Sequence, residues 1–416
     1  MLFRSSTYAQ AVAGPSALNA SGYAALSYQP LAAGDYYIEF SPQSATTPVY
    51  VKRVFDLFDI TVANKTTNTA ILGRLWAKIW DLSAYSFANT FAAKYFIYST
   101  DSLVTQVGFN GIKPFGFNIF CNQTGCANTG NLIADRKSRD GEYGSPEYKL
   151  FLNDPDNAAY PSGTNNNTVY NSSITGCQTT GYCINISCNK MGSMEIVLDL
   201  NGVAGYQQGT ADVILGKTIT PGTCCIAWDG KNGLGAYVAP GTSFTATTKF
   251  IGGLTNLPMY DVEGHPNGYT MSIVRPAAAA GTTPKLYWDD SNLSTGTSNY
   301  TGANSPAHSW LGNDQGAGFG DVRTMNTWWY SYDVTQTITY TIHSTCPPKA
   351  NNDNASTCAG SPVTINILAN DVPTVGSTLN TSSVVIFQQP AHGKVVVNTN
   401  GTVTYVADGA ADFRAT

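Results

Sequence analysis

The chain has 416 residues, nine cysteines and a net charge of −5, and only 12% of its residues are charged, against ~25% in ordinary soluble domains. That length allows two to four domains with real cores. The small net charge and the lack of any long Lys/Arg run exclude the electrostatic footprint of a nucleic-acid binder, and no window approaches the ~20 apolar residues of a membrane span. Charge gives way to 40 glycines, 24 tyrosines and abundant Thr, Ser and Asn, a composition that predicts an all-β extracellular protein.

The opening MLFRSSTYAQAVAGPSALNASGY lacks the apolar core of about 7–15 residues that a secretion signal needs, so it is expected to be a truncated end. A first region, 1–192, reads as strands and loops. Asp35–Phe40, Val49–Phe55, Leu57–Val62 and Tyr95–Ser99 are aromatic and β-branched runs of strand length. Leu72–Trp80 fits a short helix or a strand equally well. Cys121 to Cys188 is turn-rich, with NQTGCANTGN and NDPDNAAYPSGTNNNT, and reads as long surface loops. Ser193–Leu200 opens a second module, 193–276, and a β-rich segment, 277–346, follows or completes it. In that segment Val334–Ile342 alternates as a long strand should.

Cys346-Pro347-Pro348-Lys349 then reads as a stiff junction before a last domain, 347–416. Pro362–Leu368 alternates apolar and polar residues, and Lys394–Asn398 and Thr402–Val406 are joined through Asn400-Gly401, a strong hairpin signal. The chain ends one strand short of a closed sandwich, which again suggests a truncation, and an open edge at 393–406 would accept a strand from a neighbouring subunit.

Several phrases carry resemblances. PVTINILAND, QPAHGKVVVNTNGTVTYV and the trailing ADF resemble the cadherin-like, Ig-fold tandem repeats of very large bacterial surface proteins, which implies a spacer or adhesive module. IAWDGKNGLGAYVAPGTSF is similar to the Ig-like domain of flagellar hook-capping proteins, through Trp228, Asp229, Gly230, Gly235, Val238, Gly241 and Phe244. Physically, Trp228 would close a core face while Asp229-Gly230 and Asn232-Gly233 make tight turns. With YDVEGHPNGYTMSIVRP, KLYWDDSN and NTWWYSYDVTQTITYTI, the chain resembles surface proteins of gliding Bacteroidetes. Together these resemblances imply an all-β chain of consecutive Ig-like sandwiches with long disulfide-stapled loops, export by type IX secretion and a role as an adhesin or structural filament, without enzymatic activity.

No GxSxG elbow, HExxH, P-loop or helix-opening GxGxxG is present. Cys121, Cys126, Cys177, Cys183, Cys188, Cys224, Cys225, Cys346 and Cys358 show no paired C-x2-C zinc spacing, so disulfides in an oxidising compartment are expected. Cys121–Cys126 and Cys346–Cys358 are the favoured bridges. Cys224 and Cys225 point to opposite faces of a strand and need different partners, with candidates among Cys177, Cys183 and Cys188.

Asp135, Asp140, Asp154, Asp156, Asp289 and Asp290 sit in turn-rich loops; turn formation is the bland reading. Calcium is the functional one, and a glycosidase carboxylate pair a third. No other cofactor is implied. His392 reads as a turn residue, while His265 and His308 admit a metal role beside a structural one. Trp310, Trp328, Trp329 and Tyr330 are candidates for stacking on sugar rings, although one of Trp328 and Trp329 should face the core. The expected partners are other copies of the chain, neighbouring surface proteins or surface glycans. A carbohydrate-binding accessory region of a secreted polysaccharide-degrading enzyme is the alternative function.

Overall fold

The computed structural model describes residues 7–38, 59–83, 90–164, 169–178, 180–303, 308–311, 319–342, 348–373 and 378–408. Strands dominate, and the only α-helices among the described residues are Tyr8–Ala13 and Leu132–Arg136. The chain divides into two compact units that interleave in sequence. One comprises 1–129, 133–165 and 252–332; the other comprises 130–132, 166–251 and 333–416.

The first unit is a two-sheet sandwich. One sheet has the order Tyr269–Arg275, Val104–Phe109, Lys94–Tyr98, Lys149–Phe151, Trp76–Ala77, all antiparallel. The other sets Arg323–Trp329 between Thr255–Tyr260 and Leu286–Asp289, with Ser298–Ala303 beyond. Alternation aims Tyr95, Ile97, Val107 and Phe109 inward from the first sheet, where they share one core with Leu257, Met259, Met325 and Trp329 of the second. Trp329 is fully buried, and its indole N–H reaches Thr105 Oγ1 across the core at 3.4 Å.

The second unit contains a sandwich of the same kind. Val169–Cys177, Gly181–Cys188 and Gly222–Trp228 form a three-stranded sheet. Val213–Ile219, Gly192–Asp199, Ser243–Gly252 and Tyr332–Thr341 form a four-stranded one. Trp228 joins them: its ring packs on Tyr182 of its own sheet and edge-on to Phe244 of the other, which in turn meets Tyr340. The indole N–H donates to the Lys231 carbonyl at 2.8 Å. The WDGKNG turns form as the residue types demand, Gly230 taking a φ of +81° and the Asn232 side chain accepting from the N–H groups of Leu234 and Ala236. A separate three-stranded sheet has Val403–Val406 between Pro362–Ile365 and Lys394–Val397, with Gly401 at φ +81° in the expected hairpin turn.

Several expectations are corrected. The 193–276 module does not stand alone in sequence: Tyr269–Arg275 belongs to the first unit, and Tyr332–Thr341, expected within 277–346, completes a sheet of the second. Segment 169–188 is a long hairpin rather than loop, because Tyr182, Ile184 and Ile186 alternate onto a buried face. Asp35–Ile38 is irregular and exposed, whereas Leu72–Trp80 resolves as the strands Trp76–Ala77 and Ile79–Ser83. Val49–Phe55 and Cys346 lie outside the described residues.

Candidate functional site

The residues singled out for chemistry gather mainly in the first unit, around Leu286–Asp289 and Arg323–Trp329. Asp290 accepts from Ser138 Oγ on one carboxylate oxygen at 2.5 Å and meets His308 Nε2 with the other at 2.8 Å. His308 Nδ1 bonds Thr327 Oγ1, and the imidazole stacks on Trp288 with ring centroids 5.0 Å apart. Asp289 accepts from the Tyr300 hydroxyl at 2.5 Å and lies 3.5 Å from Lys137 Nζ. Ser, His and Asp are all present, but the serine hydroxyl faces the carboxylate instead of the imidazole. A nucleophilic triad requires serine on the histidine. The cluster is a buried structural network.

Trp310, Trp328 and Trp329 are all buried, so the expectation that they stack on a sugar is corrected: their faces are already covered by protein. Trp328 stacks on Tyr287 and receives the Arg136 guanidinium at 5.4 Å. Both tryptophans of the pair are core because Arg323–Trp329 is covered on both faces. Tyr330 alone among these candidates keeps partial exposure, with its hydroxyl 2.8 Å from that of Tyr287.

The other acidic candidates also have protein partners. Asp135 is buried and accepts from the Thr129 N–H and hydroxyl. Asp140 pairs with Arg323, Asp154 with Arg275 and Asp156 with Arg74. The Ala158 N–H, and then Arg74, hold the Asp156 carboxyl below its usual range, partly opposed by burial. Each of the six, held as a calcium candidate beside the turn-forming reading, thus has a protein partner. None belongs to a group of three His, Cys, Asp or Glu ligand atoms close enough to share an ion among the described residues.

Sequence reasoning passed over the one group that does. Asp261 and Glu263 follow Thr255–Tyr260, Asp321 precedes Arg323–Trp329, and one carboxylate oxygen from each lies within 4.8 Å of the others. The antiparallel register, Tyr260 opposite Thr324, brings the two strand ends together. Gly320 allows the approach, since a Cβ there would sit 1.9 Å from the Val262 carbonyl oxygen. The acidic residues nearest in sequence are only D-x-E, too common a pattern to stand out without the pairing.

Cysteine chemistry meets expectation at one bridge, where Cys225 finds its partner among Cys177, Cys183 and Cys188, and departs from it elsewhere. Cys183 and Cys225 form a disulfide across Gly181–Cys188 and Gly222–Trp228, and Cys177 is disulfide-bonded as well. Cys121 and Cys126 are free and buried, and burial pushes the Cys126 thiol up to about 12. The expected Cys121–Cys126 bridge therefore does not form; Cys358 is a free, exposed thiol, and its expected partner Cys346 lies outside the described residues. Short sequence spacing misled here, because strand pairing rather than proximity along the chain decides which sulfurs meet. Cys224 and Cys225 do point to opposite faces: Cys224, free beside buried Ile226, stands opposite Ile186, while Cys225 is exposed.

His265 is fully buried, and both ring nitrogens lack a hydrogen-bond partner among the described residues. Burial, helped by the neighbouring His308 and opposed by the Gly268 backbone, holds its pKa down to about 3 from 6.5. Between those values the unfolded chain binds a proton that the folded chain refuses, so stability falls as pH drops through that window. Chemical denaturation of the first unit should show about 2 kcal/mol lost between pH 7 and pH 5, and His265→Phe should flatten that slope. An unchanged slope in the variant would refute the assignment.

Residues 344–416 match the family model described as a bacterial Ig domain. No curated protein and no solved structure matches the chain. The matched segment contains the three-stranded sheet of Pro362–Ile365, Val403–Val406 and Lys394–Val397, and it supports an Ig-fold protein with a surface or extracellular role. Among the described residues no helix is long and apolar enough to cross a membrane.

Proposed function

We propose that this chain is a non-enzymatic extracellular protein of the bacterial surface, acting as an adhesin or as a component of a structural filament. The observation that carries this reading is the bacterial Ig domain at 344–416. Two further features agree with it. The Cys183–Cys225 disulfide suits an oxidising compartment, and the Asp289–Asp290 group is enclosed by Tyr300, Lys137, Ser138 and His308 instead of lining an open cleft. The finer assignment, a surface protein of a gliding bacterium exported by type IX secretion, rests on the resemblance carried by WDGKNGLG and NTWWYSYDVTQTITYTI.

Protease shaving of intact cells, followed by electron microscopy of the released or native material, tests the reading. Expected are cleavage in intact cells and particles in which the chain either repeats with ordered contacts, as in a filament, or stands as isolated rods, as in an adhesin. Full protection until lysis would overturn the surface role. A glycan array separates the accessory-domain alternative: binding abolished by Tyr330→Ala in a folded protein would favour it, because Tyr330 is the partly exposed candidate.

A further inference from the structure

The structure assigns a calcium site to Asp261, Glu263 and Asp321, at the paired ends of Thr255–Tyr260 and Arg323–Trp329 in the first unit. Three carboxylate oxygens lie within 4.8 Å of one another, and none of the three residues makes a salt bridge among the described residues. Nearby cations are engaged elsewhere: Arg323 donates to Asp140 and to the Phe319 carbonyl.

A cluster of acids on a wet surface would mean little, but Glu263 is not on the surface. It is 6% exposed, it brings one carboxylate oxygen into the group, and its Oε2 is buried without a hydrogen-bond partner among the described residues. An unsatisfied buried carboxylate oxygen beside two further carboxylates is costly as an anion. A cation held among the three carboxylates supplies the charge that offsets this cost.

The electrostatics agree with the geometry. Burial raises the Asp261 carboxyl above its usual range, and a side-chain hydrogen bond with Asp321 and then that group's charge raise it further, against the Val322 N–H. Burial likewise raises Glu263; the backbone of Glu263 and Phe115 opposes, and the charges of Asp261 and Asp321 add to the rise.

The donor set names the ion. All donors are hard carboxylate oxygens, with no thiolate or imidazole among them, which suits calcium or magnesium over zinc or copper. Carboxylate oxygens that all lie within 4.8 Å of one another can share one calcium at about 2.3–2.6 Å from each ligand, and calcium accepts an all-protein oxygen set more readily than magnesium, which keeps most of its water. Three protein carboxylates completed by water place the site among weak extracellular ones, with Kd of about 10⁻⁴–10⁻³ M.

The test uses the full chain stripped with chelator and titrated with calcium chloride by calorimetry, alongside thermal unfolding. Expected are one saturable site and a rise of about 3–6 °C in the first unit's transition at calcium about tenfold above Kd. Asp261→Asn is the first variant, because Asp261 has φ +59° and asparagine tolerates that backbone best. It should bind calcium at least about tenfold more weakly. Without calcium it should unfold no earlier than the parent, since a like-charge neighbour has been removed. Glu263→Gln should repeat the loss of binding.

No saturable binding at millimolar calcium would overturn the assignment. Undiminished binding in both variants would place the ion elsewhere, and an equal shift with magnesium chloride would refute calcium as the ligand. The calcium result is independent of where the protein resides, so it can fail without the surface reading failing.

Discussion

Asp290→Ala is expected to destabilise the first unit by about 2–6 kcal/mol, since it leaves two buried polar groups without their shared partner at a cost of about 1–3 kcal/mol each. Asp290 and His308 are both almost fully buried, and the carboxylate takes Ser138 Oγ at 2.5 Å and His308 Nε2 at 2.8 Å. Truncation strands both. Ser138 Oγ also accepts the Asn326 N–H at 2.9 Å, and His308 is clamped between Thr327 and Trp288, so neither group can turn to solvent for a replacement. Asp140→Ala is the control. Its pair with Arg323 is largely exposed on the Asp140 side, and its loss should change stability by under about 1 kcal/mol. Urea unfolding of both variants decides the matter. Similar midpoints for the two would mean that the Asp290 network contributes little, and a chemical role for Asp290 would then need reopening.

The all-β architecture was legible in the sequence wherever two signals coincided. Asn400-Gly401 between two β-branched runs gave the hairpin that joins Lys394–Val397 to Val403–Val406. Trp228 followed by Asp229-Gly230 gave the core tryptophan and its turn. Val334–Ile342, read as one alternating strand, forms as Tyr332–Thr341. Where the two signals parted, reading failed. Val169–Cys188 carries so many Asn, Ser, Thr and Gly residues that it looked like loop. Yet Tyr182, Ile184 and Ile186 alternate there on a buried face, and periodicity outweighs composition in a strand.

The functional site was less legible because it depends on which strands lie side by side. The carboxylates of Asp261 and Asp321 are sixty residues apart along the chain, and only the pairing of Thr255–Tyr260 with Arg323–Trp329 unites them. The same holds for the tryptophans. Alternation predicts that Trp328 and Trp329 face opposite ways, which is sound. It cannot say that both faces of that strand are covered, as they are here. Conspicuous pairs such as Asp289-Asp290 drew notice because they are adjacent in sequence. The structure uses them to tie Leu286–Asp289 to Ser138 and His308.

Loss of the Cys183–Cys225 bridge should cost about 4 kcal/mol, the loop-closure value for a ring of this size. The two sulfurs are 42 residues apart in sequence yet sit on neighbouring strands. Between them the chain leaves the three-stranded sheet, lays down Gly192–Asp199 and Val213–Ile219 in the four-stranded one, and returns. The bridge thus closes that excursion in the unfolded chain while asking little of strands already paired in the fold. Cys183→Ala with Cys225→Ala should lower the second unit's denaturation midpoint by the equivalent of that energy, and dithiothreitol, which also reduces the bridge at Cys177, should lower the parent's at least as far. Cys358→Ser, at an exposed free thiol, should leave the midpoint unchanged. If the double variant melts with the parent under oxidising conditions, the bridge contributes no stability and the argument from loop entropy fails. If it melts early, the fold depends on an oxidant for its margin, and a reducing cytoplasm would be a poor place for this chain to work.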